Sequence, residues 1–181
     1  MDLYVLLKFA HVASAIVWLG GGFTLVLLAF LFAKRPNPAD LLGVIRLVAF
    51  LGPRLFLPTS ILTLLTGLAT TYVGGFGWPA WVVLGLAGIA VTALVGAIKL
   101  GPTCENAIAI SDTKGVHAAR HEMLKLLPLA RFDYTTQFVI VFLMITKPDW
   151  QDVPVLAGLA MIVVMALVAA FQPAPRSLKS T

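Results

Sequence analysis

The residue with the most chemistry to offer is His11. It lies about eight residues into a strongly apolar segment, roughly 12 Å deep at 1.5 Å per residue. An ionisable group in hydrocarbon needs a partner, which makes it a functional candidate by default. Trp18 follows at i+7 on the same helical face and Ser14 at i+3 lies near it, while Gly20-Gly21-Gly22 leaves room for a neighbouring helix or a flat ligand. A neutral imidazole has one donor and one acceptor nitrogen, and in a dry setting both need partners. The acceptor can ligate a metal centre, or it can bond a hydroxyl of another helix such as Thr66 or Thr70. The residues alone leave these two readings open.

Other polar residues in apolar surroundings read more plainly. Lys8 and Lys99 have stems long enough to reach opposite membrane faces. Asp133 is expected to pair with Arg131, Arg54 or Lys99 at the interface, with Thr136 and Gln137 one turn further in. Thr59, Thr63, Thr66 and Thr70 share one helical face, as do Gly85, Gly88, Thr92 and Gly96. Such stripes predict tight helix packing with interhelical hydrogen bonds. His117 and His121 lie at i,i+4, but two histidines alone fall short of the three or four protein ligands zinc requires. The single cysteine, Cys104, excludes an internal disulfide. There is no P-loop, HExxH, GxSxG or supported Ser/His/Asp spacing, so no catalytic residue is assigned.

The elements that must position these residues are membrane helices. Of 181 residues, 60% are apolar and 12% charged, against roughly 25% charged in an ordinary soluble domain. The mean hydropathy is +0.97. This excludes a disordered chain, a disulfide scaffold and a soluble enzyme. Five apolar stretches, at about 3–33, 53–73, 79–100, 130–147 and 153–171, are the expected spans. Residues 39–50 read as a short interfacial helix, and Asp112 to Arg131 as a polar helical turn or two. The first stretch opens with Asp2 and is interrupted by Lys8 and His11, so it is expected to persist rather than be cleaved as a signal. The fold class is therefore an all-α integral membrane protein, a bundle of about five transmembrane helices in one domain.

The net charge of +5 does not indicate nucleic acid, because the charges sit in short runs between apolar stretches. Of thirteen basic residues, Lys147 alone lies on one side and Lys8 within a helix. The other eleven, Arg176 and Lys179 of the tail included, lie on the opposite side. The positive-inside rule makes that side cytoplasmic, with the N-terminus outside and the C-terminus inside.

The first segment, from Leu6-Leu7-Lys8-Phe9-Ala10-His11 to Trp18-Leu19-Gly20-Gly21-Gly22, resembles the opening helix of the DUF2269 family of predicted integral membrane proteins. The same pattern is similar to that of HemJ-type protoporphyrinogen oxidases and CopD copper-resistance membrane domains. Pro58 to Leu68, Gly77-Trp78, and Ile140 to Lys147-Pro148 resemble the second, third and fourth HemJ helices. The HemJ lysine after that glycine-tryptophan has no counterpart near Val82, its helix-one arginine motif is missing, and the fifth segment exceeds a four-helix plan. The resemblance implies haem b with His11 as iron ligand; the helix face adds Trp18 as a flat wall and Gly21 as room beside the macrocycle, and depth alone offers Met161, or the shallower Met144, as a second ligand.

The first functional expectation is thus a bacterial inner-membrane protein that binds haem b and exchanges electrons with a quinone or other redox partner. The second is a non-enzymatic accessory subunit, in a homo-oligomer or larger complex within the lipid bilayer. The third is copper or small-solute transport, for which Met144, Met161 and Met165 do not form a ladder. The charge asymmetry makes its own prediction. C-terminal green fluorescent protein fusions will fluoresce and alkaline phosphatase fusions will be inactive; the reverse result would invert the topology.

Overall fold

A computed structural model describes residues 2–171; Arg176 and Lys179, used for the orientation, lie outside them. The described residues are helical and contain no strand. α1 (Leu3–Ala33) opens where Asp2 accepts the Tyr4 amide at 3.2 Å, and its 31 residues extend roughly 46 Å. Lys34 to Pro36 end it, and Asn37 with Pro38 at the first position starts α2 (Pro38–Leu51).

α2 does not stop before the second apolar stretch. It continues through a π-helical turn, Gly52–Phe56, into α3 (Leu57–Val73), so one rod of 36 residues runs from Pro38 to Val73. The next rod is built alike. α4 (Ala80–Val95) passes through a π turn, Gly96–Leu100, into α5 (Gly101–Lys114). In each turn the amide one place before a proline reaches back five residues, Leu57 to the Gly52 carbonyl and Gly101 to the Gly96 carbonyl. Pro58 and Pro102 have no amide hydrogen, and in an unbroken α-helix their rings would strike the carbonyl four residues back. A widened preceding turn relieves that collision and keeps the helix going.

Gly115, at φ 87°, breaks the chain, and α6 (Val116–Thr146) then runs 31 residues to Lys147 in the left-handed region before Pro148. The stretch expected as a turn or two is therefore the end of α5 and the first half of α6. α7 (Val153–Phe171) packs on α6. Five helices, counting each π-joined rod once, are long and apolar enough to cross a membrane.

Two kinds of packing hold these rods. At one end of the bundle α2, α5 and the start of α6 form a hydrophobic core of Leu41, Leu42, Ile45, Cys104, Ala107, Ala119, Met123 and Leu126. The apolar side of α2 thus meets protein, where the sequence suggested a helix lying on headgroups. Arg120 fastens this end by donating to the carbonyls of Ala33, Arg35 and Pro36 at 3.4–3.5 Å, and Arg46 pairs with Asp112.

Within the spans, glycines let helices approach closely. A Cβ on Gly88 would lie 2.6 Å from Ile140 Cγ1, one on Gly85 2.5 Å from Met144 Cε, and one on Gly22 would collide with the Tyr134 hydroxyl. Gly21 faces the Phe56 ring at 3.3 Å, a looser fit. The threonine stripe of α3 differs from expectation. Its hydroxyls mostly return to their own helix, Thr59 to Leu55, Thr66 to Leu62 and Thr70 to Thr66. A carbonyl one turn back is always within reach of a helical threonine, whereas one on a neighbour must be aligned. Gly88→Leu is expected to lower stability by about 1–3 kcal/mol, the usual scale of overpacking, and Gly21→Leu by less. Gly158 on α7, with open space around it, serves as the control. Equal melting temperatures for Gly88→Leu and Gly158→Leu in detergent would show that the Gly88 face does not pack.

Candidate functional site

Two polar features lie inside the bundle, and they are separate. The first is a seam between α1 and α3. His11 Nδ1 lies 2.8 Å from the Thr63 carbonyl. A carbonyl only accepts, so Nδ1 carries the proton and Nε2 keeps its lone pair. Ser14 donates to the His11 carbonyl at 3.0 Å, and the Thr63 hydroxyl donates to Ser14 at 2.9 Å. Gly67 makes the approach feasible, since a Cβ there would stand 2.8 Å from the imidazole Cε1. The interhelical bond weighed for His11 therefore exists, but its acceptor is a backbone carbonyl and not a Thr66 or Thr70 hydroxyl.

The second feature is a cleft of about 540 Å³ lined by all of α1 to α6, with α2 (Val44, Ile45, Val48, Ala49) and α5 (Gly101, Cys104, Glu105) closing one end, within the usual range for small-molecule sites. α3 and α4 follow each other in sequence yet scarcely touch. Leu57 and Ser60 of one, and Ile89, Thr92 and Ala93 of the other, line the same cleft. Both π turns contribute to its wall, through Gly52, Pro53 and Phe56 and through Gly96, Ala97 and Leu100. Such turns often occur at functional sites.

The cleft is mainly apolar, with a buried polar pair on α6 and further polar groups at Ser60, Thr92 and Glu105. Asp133 is 7% exposed and Gln137 4%. Gln137 Nε2 donates to Asp133 Oδ2 at 2.7 Å, whereas Asp133 Oδ1 and Gln137 Oε1 are buried without a hydrogen-bond partner. The expected pairing of Asp133 with Arg131, Arg54 or Lys99 is not found; among the described residues it makes no salt bridge. Arg131 stacks on the Phe30 ring and Arg54 on the Phe50 ring instead.

The proposed haem residues are not gathered around one space. Trp18 lines the cleft, but His11 and Gly21 do not; Gly22 does. Met161 is 60% exposed on α7, a helix that packs on α6. His11 lines neither the cleft nor the groove between α6 and α7. The free Nε2 is the one feature in keeping with a ligand role. His117 and His121 gather no metal set, since no group of three or more His, Cys, Asp or Glu side chains suited to a metal occurs among the described residues.

The site that sequence reasoning missed is the Asp133/Gln137 pair in its cleft. Two signals were present: a carboxylate and an amide at i,i+4 in an apolar run, and glycine followed six residues later by proline, twice, at Gly52/Pro58 and Gly96/Pro102.

A bundle of five membrane-length helices with an internal cleft defines the chain as a multi-pass integral membrane protein. Residues 5–148 match the family described as predicted integral membrane protein (DUF2269), and the chain belongs to that family. No curated protein and no solved structure matches it.

Proposed function

We propose that the protein binds an amphipathic small molecule inside the membrane, admitting it from the bilayer through the gap between α3 and α4, in the service of small-solute transport. The observation that carries this reading is the cleft itself. Helices in lipid gain nothing by leaving space between them, because packing contacts are much of what holds them together. Here two π turns and an unpacked pair of consecutive helices coincide on one space of about 540 Å³. The setting we propose is a bacterial inner membrane, and the loop charges favour the cytoplasmic side for the end formed by α2, α5 and α6. The electron-transfer expectation has less support, because the residues it relies on are dispersed.

Nile red, a neutral apolar dye, tests the reading in lipid nanodiscs. The full-length protein is expected to bind it saturably at about one per chain. Ala93→Trp, which places an indole in the gap, should weaken that binding about tenfold, as loss of roughly 1.4 kcal/mol of contact requires. Unchanged binding in Ala93→Trp would remove the cleft as the site. A Soret band in the purified protein that disappears in His11→Ala would instead restore the haem reading.

A further inference from the structure

The composition of the cleft wall runs against that of the protein. The chain carries a net charge of +5. Yet Asp133 and Glu105 line the cleft and, among the described residues, no lysine, arginine or histidine does. An uncompensated carboxylate in low dielectric is costly, and a cation, a proton or several donors must meet it.

The hydrogen-bond inventory points the same way. Ser60 gives its hydroxyl hydrogen to the Leu57 carbonyl and Thr92 to that of Ile89, so both turn only lone pairs outward. Gln137 spends an amide hydrogen on Asp133, leaving its own oxygen and Asp133 Oδ1 unpartnered. Tyr134, with its hydroxyl against Gly22, is the one other hydroxyl of the wall. The wall thus sets the acceptors of Ser60, Thr92, Asp133, Gln137 and Glu105 beside the donors of Trp18, Tyr134 and the second Gln137 amide hydrogen, and its formal charge is negative.

We infer that the cleft's ligand is a primary ammonium compound with an apolar body, its head between Asp133 and Gln137 and its body against Trp18 and Phe56. This rests on the ligand-binding reading above. An ammonium carries a positive charge and three donors, enough for both orphaned oxygens and one more acceptor. The aromatic faces of Trp18 and Phe56 favour a cation beside them and an apolar chain beyond. A neutral alcohol supplies one donor and leaves the carboxylate uncompensated. A quaternary ammonium supplies the charge but no donor. A bare divalent metal lacks a donor set, since no suitable cluster occurs among the described residues.

Binding of radiolabelled decylammonium, decyltrimethylammonium and decanol to the full-length protein in nanodiscs, with empty discs subtracted, separates these chemistries. Decylammonium is expected to bind tighter than either analogue by about tenfold or more, the scale of one hydrogen bond to a charged group. Asp133→Asn should lose that advantage, and Gln137→Leu should narrow the gap between decylammonium and decyltrimethylammonium. Equal affinity for decanol, equal affinity for decyltrimethylammonium, or an Asp133→Asn protein that keeps decylammonium affinity would each overturn the inference. If Asp133→Asn fails to fold, the wild-type series and Gln137→Leu decide the matter. Nile red binding with no preference among the three amphiphiles sinks the ammonium assignment alone; no Nile red binding at all sinks the cleft reading with it.

Discussion

A proline has no amide hydrogen, and Pro58 and Pro102 both fall within rods that are long and apolar enough to cross hydrocarbon. Lipid offers no water to rescue a freed carbonyl, so the chain must satisfy its backbone internally. The π turns at Gly52–Phe56 and Gly96–Leu100 do this by lengthening the hydrogen-bond reach by one residue just before each proline. Their consequence is spatial. Each adds an irregular, widened turn on the side where α3 and α4 stand apart, and both turns line the resulting cleft.

Cohesion differs along the length of the bundle. In hydrocarbon, apolar burial supplies little drive, and contact depends on glycines that bring Ile140, Met144, Tyr134 and His11 close to a neighbouring backbone. At the end formed by α2, α5 and α6, where the loop charges lie, the apolar residues instead collect into a buried core around Met123 and Ala107. The large apolar side chains of the spans, such as Phe9, Ile16 and Leu94, face outward, as lipid permits. One chain therefore uses two logics.

Membrane helices were legible in the sequence because composition alone specifies them. The joined rods were not, because glycine and proline at 52–53 and 101–102 ordinarily signal a break, and only backbone geometry shows the break absorbed. His11 was legible as a residue needing a partner. Its acceptor was not, since a carbonyl such as that of Thr63 is present in every residue and leaves no pattern. Asp133 was noticed but assigned to an ion pair. Nearby arginines encouraged that reading, and only side-chain directions show Arg131 and Arg54 turned to Phe30 and Phe50. The polar groups thus divide into a seam at His11, Ser14 and Thr63, which joins helices, and a buried pair at Asp133 and Gln137, each with one oxygen left without a hydrogen-bond partner.

The central claim is that α3 and α4 leave a lipid-accessible space between them. A nitroxide attached at Ala93→Cys, with Cys104→Ala to remove the native thiol, reports on that space in nanodiscs. The account predicts a mobile spectrum, relaxed readily by oxygen and poorly by a water-soluble nickel chelate. A rigid spectrum insensitive to both agents would mean that the helices close on each other and that no cleft exists.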